Sequence, residues 1–152
     1  MKATAFCPIS NRKIDEHVAR LNGAFTLLFL GLFFATGHVS ALFVLFVDFF
    51  LRSGKFFRYS LFSFFSRNIT AAISLKPTLI NAGPKIFASR IGLLFSLVLL
   101  VGFIFGATNT TLIVGAILGA CAFLESVLGY CVACQVYPFV HKLFSAFQTR
   151  EI

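Results

Sequence analysis

Charge is what this sequence has least of. Of its 152 residues, 12% are Asp, Glu, Lys or Arg, against roughly 25% in a soluble domain. That scarcity excludes a water-facing surface over most of the chain, and the mean hydropathy of +0.93 agrees. Tryptophan is absent while phenylalanine occurs 22 times, a balance suited to helices that face lipid. Four cysteines (Cys7, Cys121, Cys131 and Cys134) are too few and too unevenly spaced for a secreted disulfide scaffold. Haem-attachment, zinc-protease, Walker and dinucleotide-glycine motifs are all missing, so neither a cofactor nor a metal centre is expected. These absences leave a single-domain integral membrane protein.

The charge that is present is lopsided, with a formal net value of +8. It does not read as a nucleic-acid surface, because no basic stripe or recognition module accompanies it. Of the 13 Lys and Arg residues, four precede the first apolar run, seven lie in the middle of the chain and two follow the last run. Cytoplasmic flanks of membrane helices collect such residues. The distribution therefore places both termini and the central loop on the cytoplasmic side of a bacterial inner membrane.

The apolar pattern predicts an all-α membrane protein with four transmembrane helices in two hairpins. Residues 1–18 form a polar cytoplasmic segment, and the apolar run behind them is too long for a cleavable signal peptide. Residues 24–50 are almost uninterruptedly apolar, whereas about 20 residues suffice for one crossing. The "TGHVS" at 36–40 divides them into helices at about 19–36 and 39–57. One long tilted helix is the competing reading. A basic-aromatic stretch follows, with Arg52, Lys55, Arg58 and Arg67 among Phe and Tyr, as in a segment lying at the headgroups. "KPTLINAGPK" at 76–85 reads as loop. Two further helices are expected at about 87–107 and 112–128, joined by the uncharged "TNTT" of 108–111. Apolar positions at Phe139, Val140, Leu143, Phe144 and Phe147 suggest a short amphipathic helix within the tail, 129–152. "GFIFG" and "GAILG" place Gly102, Gly106, Gly115 and Gly119 at GxxxG spacing, either for packing within the chain or for a homodimer seam.

Chemistry-bearing residues concentrate in "GYCVACQVYP" (129–138). Cys131 and Cys134 stand at CxxC spacing, which can close a disulfide or share a soft metal. If Gly129 ends the fourth helix and a new one begins, Cys131 sits near a helix N-terminus, where partial positive charge favours a thiolate. If the fourth helix continues, that stabilisation is absent. One CxxC is at most half of a tetrahedral zinc site. Cys7 falls on the same membrane face, either as a resolving thiol or as an unpaired cysteine. Cys121 reads as a packing residue. Glu125 could move a proton during thiol chemistry or make an interhelical hydrogen bond. Asp48 with Arg52 four positions on reads as an anchoring ion pair. His17, His38 and His141 are isolated, and "NAGPK" with Arg90 is either a small anion nest or only a turn.

Four blocks together resemble the DUF4395 family of small bacterial membrane proteins of unassigned function. They are "FCPIS…DEHVARLNG" (6–23), "DFFLR" (48–52), "KPTLINAGPKIFASRIG" (76–92) and "ESVLGYCVACQVY" (125–137). Some members of that family are joined to, or encoded beside, thioredoxin-like or rhodanese-like proteins. The resemblance thus implies thiol or sulfur chemistry at the matching positions Cys7, Glu125, Cys131 and Cys134. Family members often carry Gly where this chain has Ala133. Three functions remain open. The first is a membrane thiol–disulfide protein exchanging electrons or sulfur with such a partner. The second is a transporter or carrier for a soft metal or sulfur compound through the same thiols. The third is a structural subunit without thiol chemistry.

Overall fold

A computed structural model describes residues 13–54 and 59–148. In chain order the elements are β1 (Lys13–Asp15), α1 (Glu16–Thr36), α2 (Val39–Ser53), α3 (Leu61–Ala72), β2 (Leu79–Asn81), α4 (Ala82–Ile104), α5 (Thr108–Leu128) and α6 (Val132–Gln148). Cys7 lies outside the described residues.

Local chemistry sets the helix ends. Asp15 caps α1 by accepting the His17 N–H at 3.1 Å, and the same carboxylate oxygen accepts the Thr78 N–H at 3.3 Å. Asn81 caps α4 through the Gly83 N–H at 3.1 Å. Three glycines, Gly37, Gly106 and Gly129, take left-handed φ values of 66–70°. Gly37 ends α1, Gly129 ends α5, and Gly106 turns the chain between α4 and α5.

α1, α4 and α5 are long and apolar enough to cross a membrane, with 21, 23 and 21 residues. At 1.5 Å per residue they measure about 32, 35 and 32 Å, against a hydrocarbon core of about 30 Å. α2 differs from expectation. It stops at Ser53, where Gly54 is extended, and its 15 residues span about 22 Å. Among the described residues these three are the helices long and apolar enough to span, and the helix expected at 39–57 is shorter than the sequence suggested.

Other boundaries also shift. The region 76–85 is not all loop: β2 pairs antiparallel with β1, aligning Ile14 with Ile80. α4 then starts at Ala82, because Pro84 falls in the first turn, where no helical N–H is required. "TNTT" opens α5 instead of preceding it, so the uncharged turn is one residue-cluster earlier, around Gly106. The tail helix is not short. It has 17 residues and contains Pro138 in its interior.

α1 packs on α5, α3 and α2, while α4 packs on α2, α5 and α6. Leu30 and Phe33 from α1, Leu42, Leu45 and Phe49 from α2, Leu99 from α4 and Leu118 from α5 form the central contact cluster. Three of the four GxxxG glycines serve packing inside the chain, while Gly106 makes the turn after α4. A Cβ at Gly115 would overlap the Phe34 ring, one at Gly119 would meet Leu30 at 3.3 Å, and one at Gly102 would meet Thr111 Oγ1 at 3.0 Å. Of the two readings of these glycines, packing within the chain is the one seen at Gly102, Gly115 and Gly119.

α3 turns its small polar residues inward and three large apolar ones outward. Ser63, Ser66 and Thr70 are buried, whereas Leu61, Phe64 and Phe65 are exposed. Asn22 of α1 donates to Ser63 Oγ at 3.2 Å and accepts from the Ser66 hydroxyl at 2.9 Å. Asp48, fully buried, accepts the Ser60 hydroxyl at 2.6 Å, the Phe62 N–H at 3.1 Å and the Arg52 guanidinium at 3.3 Å. The expected Asp48–Arg52 anchor is present, and what it anchors is the start of α3.

Candidate functional site

β1–β2 pairing places the starts of α1 and α4 at one end of the bundle. The end of α5 joins them there, because Arg20 of α1 donates to the Val127 carbonyl at 2.7 Å. An added Cβ at Gly129 would lie 3.1 Å from Glu16 and 3.4 Å from Arg20, so the α5–α6 turn is nested against α1. Within this turn the N–H groups of Gly129 and Tyr130 both return to the Leu124 carbonyl. The chain then reverses, and α6 packs on α4 with Phe87 and Tyr137 edge to face at 5.4 Å.

Cys131 immediately precedes α6. Its sulfur accepts the Cys134 N–H at 3.3 Å, the bond that a helix N-cap side chain makes to the third residue of the helix. Of the two geometries open to the sequence, the structure adopts the break at Gly129 with a new helix behind it. Cys121, Cys131 and Cys134 are free thiols, each partly exposed. The Cys134 thiol also hydrogen-bonds Cys131, the largest of the influences holding the Cys131 pKa below that of an ordinary thiol. Lys85 and the Cys134 N–H push the same way, against burial and the Glu125 charge. For Cys134 the hydrogen bond to Cys131 comes first, then burial and the Cys131 charge, and all three push its pKa up. The pair is thus asymmetric, with the Cys131 pKa held down and the Cys134 pKa pushed up.

Glu125 is paired with a cation. Lys85 Nζ bonds its Oε1 at 2.5 Å, and both side chains are about six-sevenths buried, at 14% and 16% exposure. This interhelical tie joins α4 to α5 beside the thiols. Sequence reasoning did not pair these residues, because 40 positions separate them and neither helix face marks its partner. Cys121, expected to be a packing residue, lines the same cavity as Cys131, Glu125 and Arg52. Helical periodicity could not show this, since the reversal at Gly129 is what brings Cys131 back over α5. Arg90 is exposed, and in the "NAGPK" segment, left open between an anion nest and a turn, Asn81 and Gly83 make the α4 cap. Among the described residues no three His, Cys, Asp or Glu side chains converge as metal ligands.

The family model described as a domain of unknown function, DUF4395, matches residues 14–142. No curated protein and no solved structure matches the chain.

Proposed function

We propose, starting from a chain that belongs to the DUF4395 family and takes no activity from that membership, that it is a membrane thiol–disulfide protein working through Cys131 and Cys134. The observation that carries this reading is the N-cap geometry of Cys131, whose sulfur takes the Cys134 N–H at 3.3 Å. A helix N-terminus, a neighbouring thiol donor and Lys85 all favour the thiolate there, which is the attacking species in exchange.

The reaction follows from that asymmetry. The Cys131 thiolate attacks one sulfur of a disulfide on a thioredoxin-like or rhodanese-like partner, and the partner's second sulfur leaves as thiolate. Once Cys131 is in a mixed disulfide, the charge that kept the proton on Cys134 is gone. Cys134 loses that proton to the departing thiolate and attacks Cys131, closing the intrachain disulfide and releasing the partner's other sulfur as a thiolate, which takes its proton from water. Run backwards, the same steps reduce Cys131–Cys134. Glu125 acts in this scheme as the group that holds Lys85 beside the thiols, and Cys7 serves as a second resolving thiol.

In the membrane, α2 forms a fourth, short crossing. Gly37 and His38 reverse the chain after α1, and the far end of α2 shares cavities with Lys85, Glu125 and Cys131. A helix that starts at the distal turn and ends beside the thiols has traversed the bundle. Both chain ends and the thiol turn then lie on the cytoplasmic side of the bacterial inner membrane, where the basic residues are.

The test is trapping. Cys134→Ser in cells should accumulate a reducible adduct joined through Cys131, visible on a non-reducing gel and absent from Cys131→Ser. An adduct that persists in Cys131→Ser, or a pair that stays fully reduced under oxidant challenge, sinks the proposal.

A further inference from the structure

Cys131 has two thiols near it, and the fold-level role of one of them is unassigned. Cys134 lies three positions on, in α6, and its N–H bonds the Cys131 sulfur. The other is Cys121 on α5, about two helical turns before Gly129. The reversal at Gly129 brings Cys131 back over α5, so that Cys121 and Cys131 line one cavity, whose wall does not include Cys134. Cys121 is also close enough for charge on Cys131 to act on it. Charge on Glu125, one turn along the same helix face, reaches it too. Cys131 thus has one thiol beside it in α6 and another across the cavity.

A cysteine that only fills space in a helix bundle is enclosed by its neighbours and inert. Cys121 is instead a free thiol, partly exposed, at the wall of a cavity of about 60 Å³. That volume exceeds the 10–15 Å³ or so that a single water needs, so a sulfur has room to turn within it. Cys131 precedes α6 instead of belonging to it. Turning its side chain from Cys134 towards Cys121 gives up the 3.3 Å bond to the sulfur and leaves the helical hydrogen bonds intact.

We infer that Cys121 is a third exchanging thiol, which attacks Cys131 from the cavity and closes a Cys121–Cys131 disulfide. The inference rests on the thiol reading above and adds a reacting residue to it. In a mixed disulfide at Cys131, the Cys121 sulfur displaces the partner's sulfur, and the Cys121 proton goes to the departing thiolate. On a closed Cys131–Cys134 pair, the bond to Cys134 breaks as the bond to Cys121 forms. The same proton then passes to Cys134. Each step exchanges one disulfide for another, so no outside oxidant or reductant is consumed. The second turns a disulfide at the start of α6 into one that ties α6 to α5, and it returns Cys134 as a thiol.

Glutathione disulfide tests this on the reduced, detergent-solubilised full chain carrying Cys7→Ser and Cys134→Ser. Cys121 is then the one thiol left to meet Cys131. Glutathione adds first to Cys131, and Cys121 should displace it, giving a Cys121–Cys131 linkage between unreduced peptides in mass spectrometry. A thiol held nearby acts at an effective concentration of about 1 mM, so against about 0.1 mM free glutathione the internal disulfide should outnumber the adduct about tenfold. Adding Cys121→Ala should leave the adduct as the main oxidised form. Alanine in place of serine at both other positions should give the same result, which guards against one misfolded variant. An adduct that stays on Cys131 while Cys121 remains reduced overturns the inference and leaves the thiol reading standing. A linkage found between two chains, as a dimer on a non-reducing gel, also overturns it. The thiol reading fails differently: Cys131 would take up glutathione no faster than Cys121 does in Cys131→Ser, and the inference falls with it.

Discussion

Replacing Gly129 by alanine tests whether the left-handed turn is what presents Cys131. At φ +66° an L residue costs about 1–2 kcal/mol relative to glycine. The new Cβ would also lie 3.1 Å from Glu16 Oε1 and 3.4 Å from Arg20 Nε, so both side chains must move, and with them the 2.7 Å bond from Arg20 to Val127. Gly37 and Gly106 provide matched controls. Their φ values are +70° and +69°, yet a Cβ at either meets nothing within 4 Å. The three substitutions share one backbone cost and differ in their neighbours. Each should lower the unfolding free energy in mixed micelles by about 1–2 kcal/mol. Gly129→Ala alone should slow iodoacetamide at Cys131. If the α6 N-terminus is turned away from the sulfur, about 0.3–1 kcal/mol of thiolate stabilisation is lost, a drop of about two- to fivefold below the titration midpoint. Equal slowing by Gly37→Ala would mean that general loosening controls the thiol. A fully destabilised Gly129→Ala with unchanged Cys131 reactivity would refute the turn as its support.

Three further outcomes follow from the same contacts. Cys134→Ala removes the donor that most lowers the Cys131 pKa, so the alkylation rate of Cys131 against pH should move to higher pH. Cys134→Ser keeps a hydroxyl donor and should move the profile less, and equal profiles for the two would contradict the hydrogen bond. Lys85→Met should shift the profile in the same direction and leave Glu125 unpaired, at a stability cost of about 1–3 kcal/mol; Lys85→Arg should recover most of both, read by alkylation and micelle unfolding. Asn22→Leu strands the hydroxyls of Ser63 and Ser66, so unfolding should become easier by about 1–3 kcal/mol for each. Adding Ser63→Ala and Ser66→Ala should return part of the loss, and strict additivity in that cycle would disprove the network.

What could be read from the chain followed how far each signal reaches. The membrane class and the three long helices rest on runs of apolar residues, which are local and need no partner. The Asp48–Arg52 pair was legible because four positions separate them on one helix. Asn22 with Ser63 and Ser66 was not, since nothing in either segment marks the other. Three-residue strands such as Lys13–Asp15 and Leu79–Asn81 have too little length to show alternation. Helix ends were misjudged where residue type pulls two ways. Pro84 suggests loop yet fits a first helical turn, and the threonines of 108–111 suggest a turn yet also suit a helix start. At the thiols the sequence left two geometries open, and the backbone at Gly129 decides between them. Arg52, read as half of an anchoring ion pair, also lines the cavity beside Cys131, where Gly92 lets α2 approach α4.

The serine face of α3 bears on how this chain tells its inside from its outside. In water a helix is oriented by which side is greasy, but α3 turns its greasy side out, so that instruction does not orient it. The orienting information must then sit in its polar groups. Here it is Ser60, Ser63 and Ser66, read by Asp48 and Asn22. Such an arrangement tolerates exchange among large apolar residues at Leu61, Phe64 and Phe65, and punishes a single added methyl group or lost hydroxyl on the other side. Variation in α3 should therefore run opposite to that of a soluble amphipathic helix, with the greasy positions free to drift and the small polar ones held.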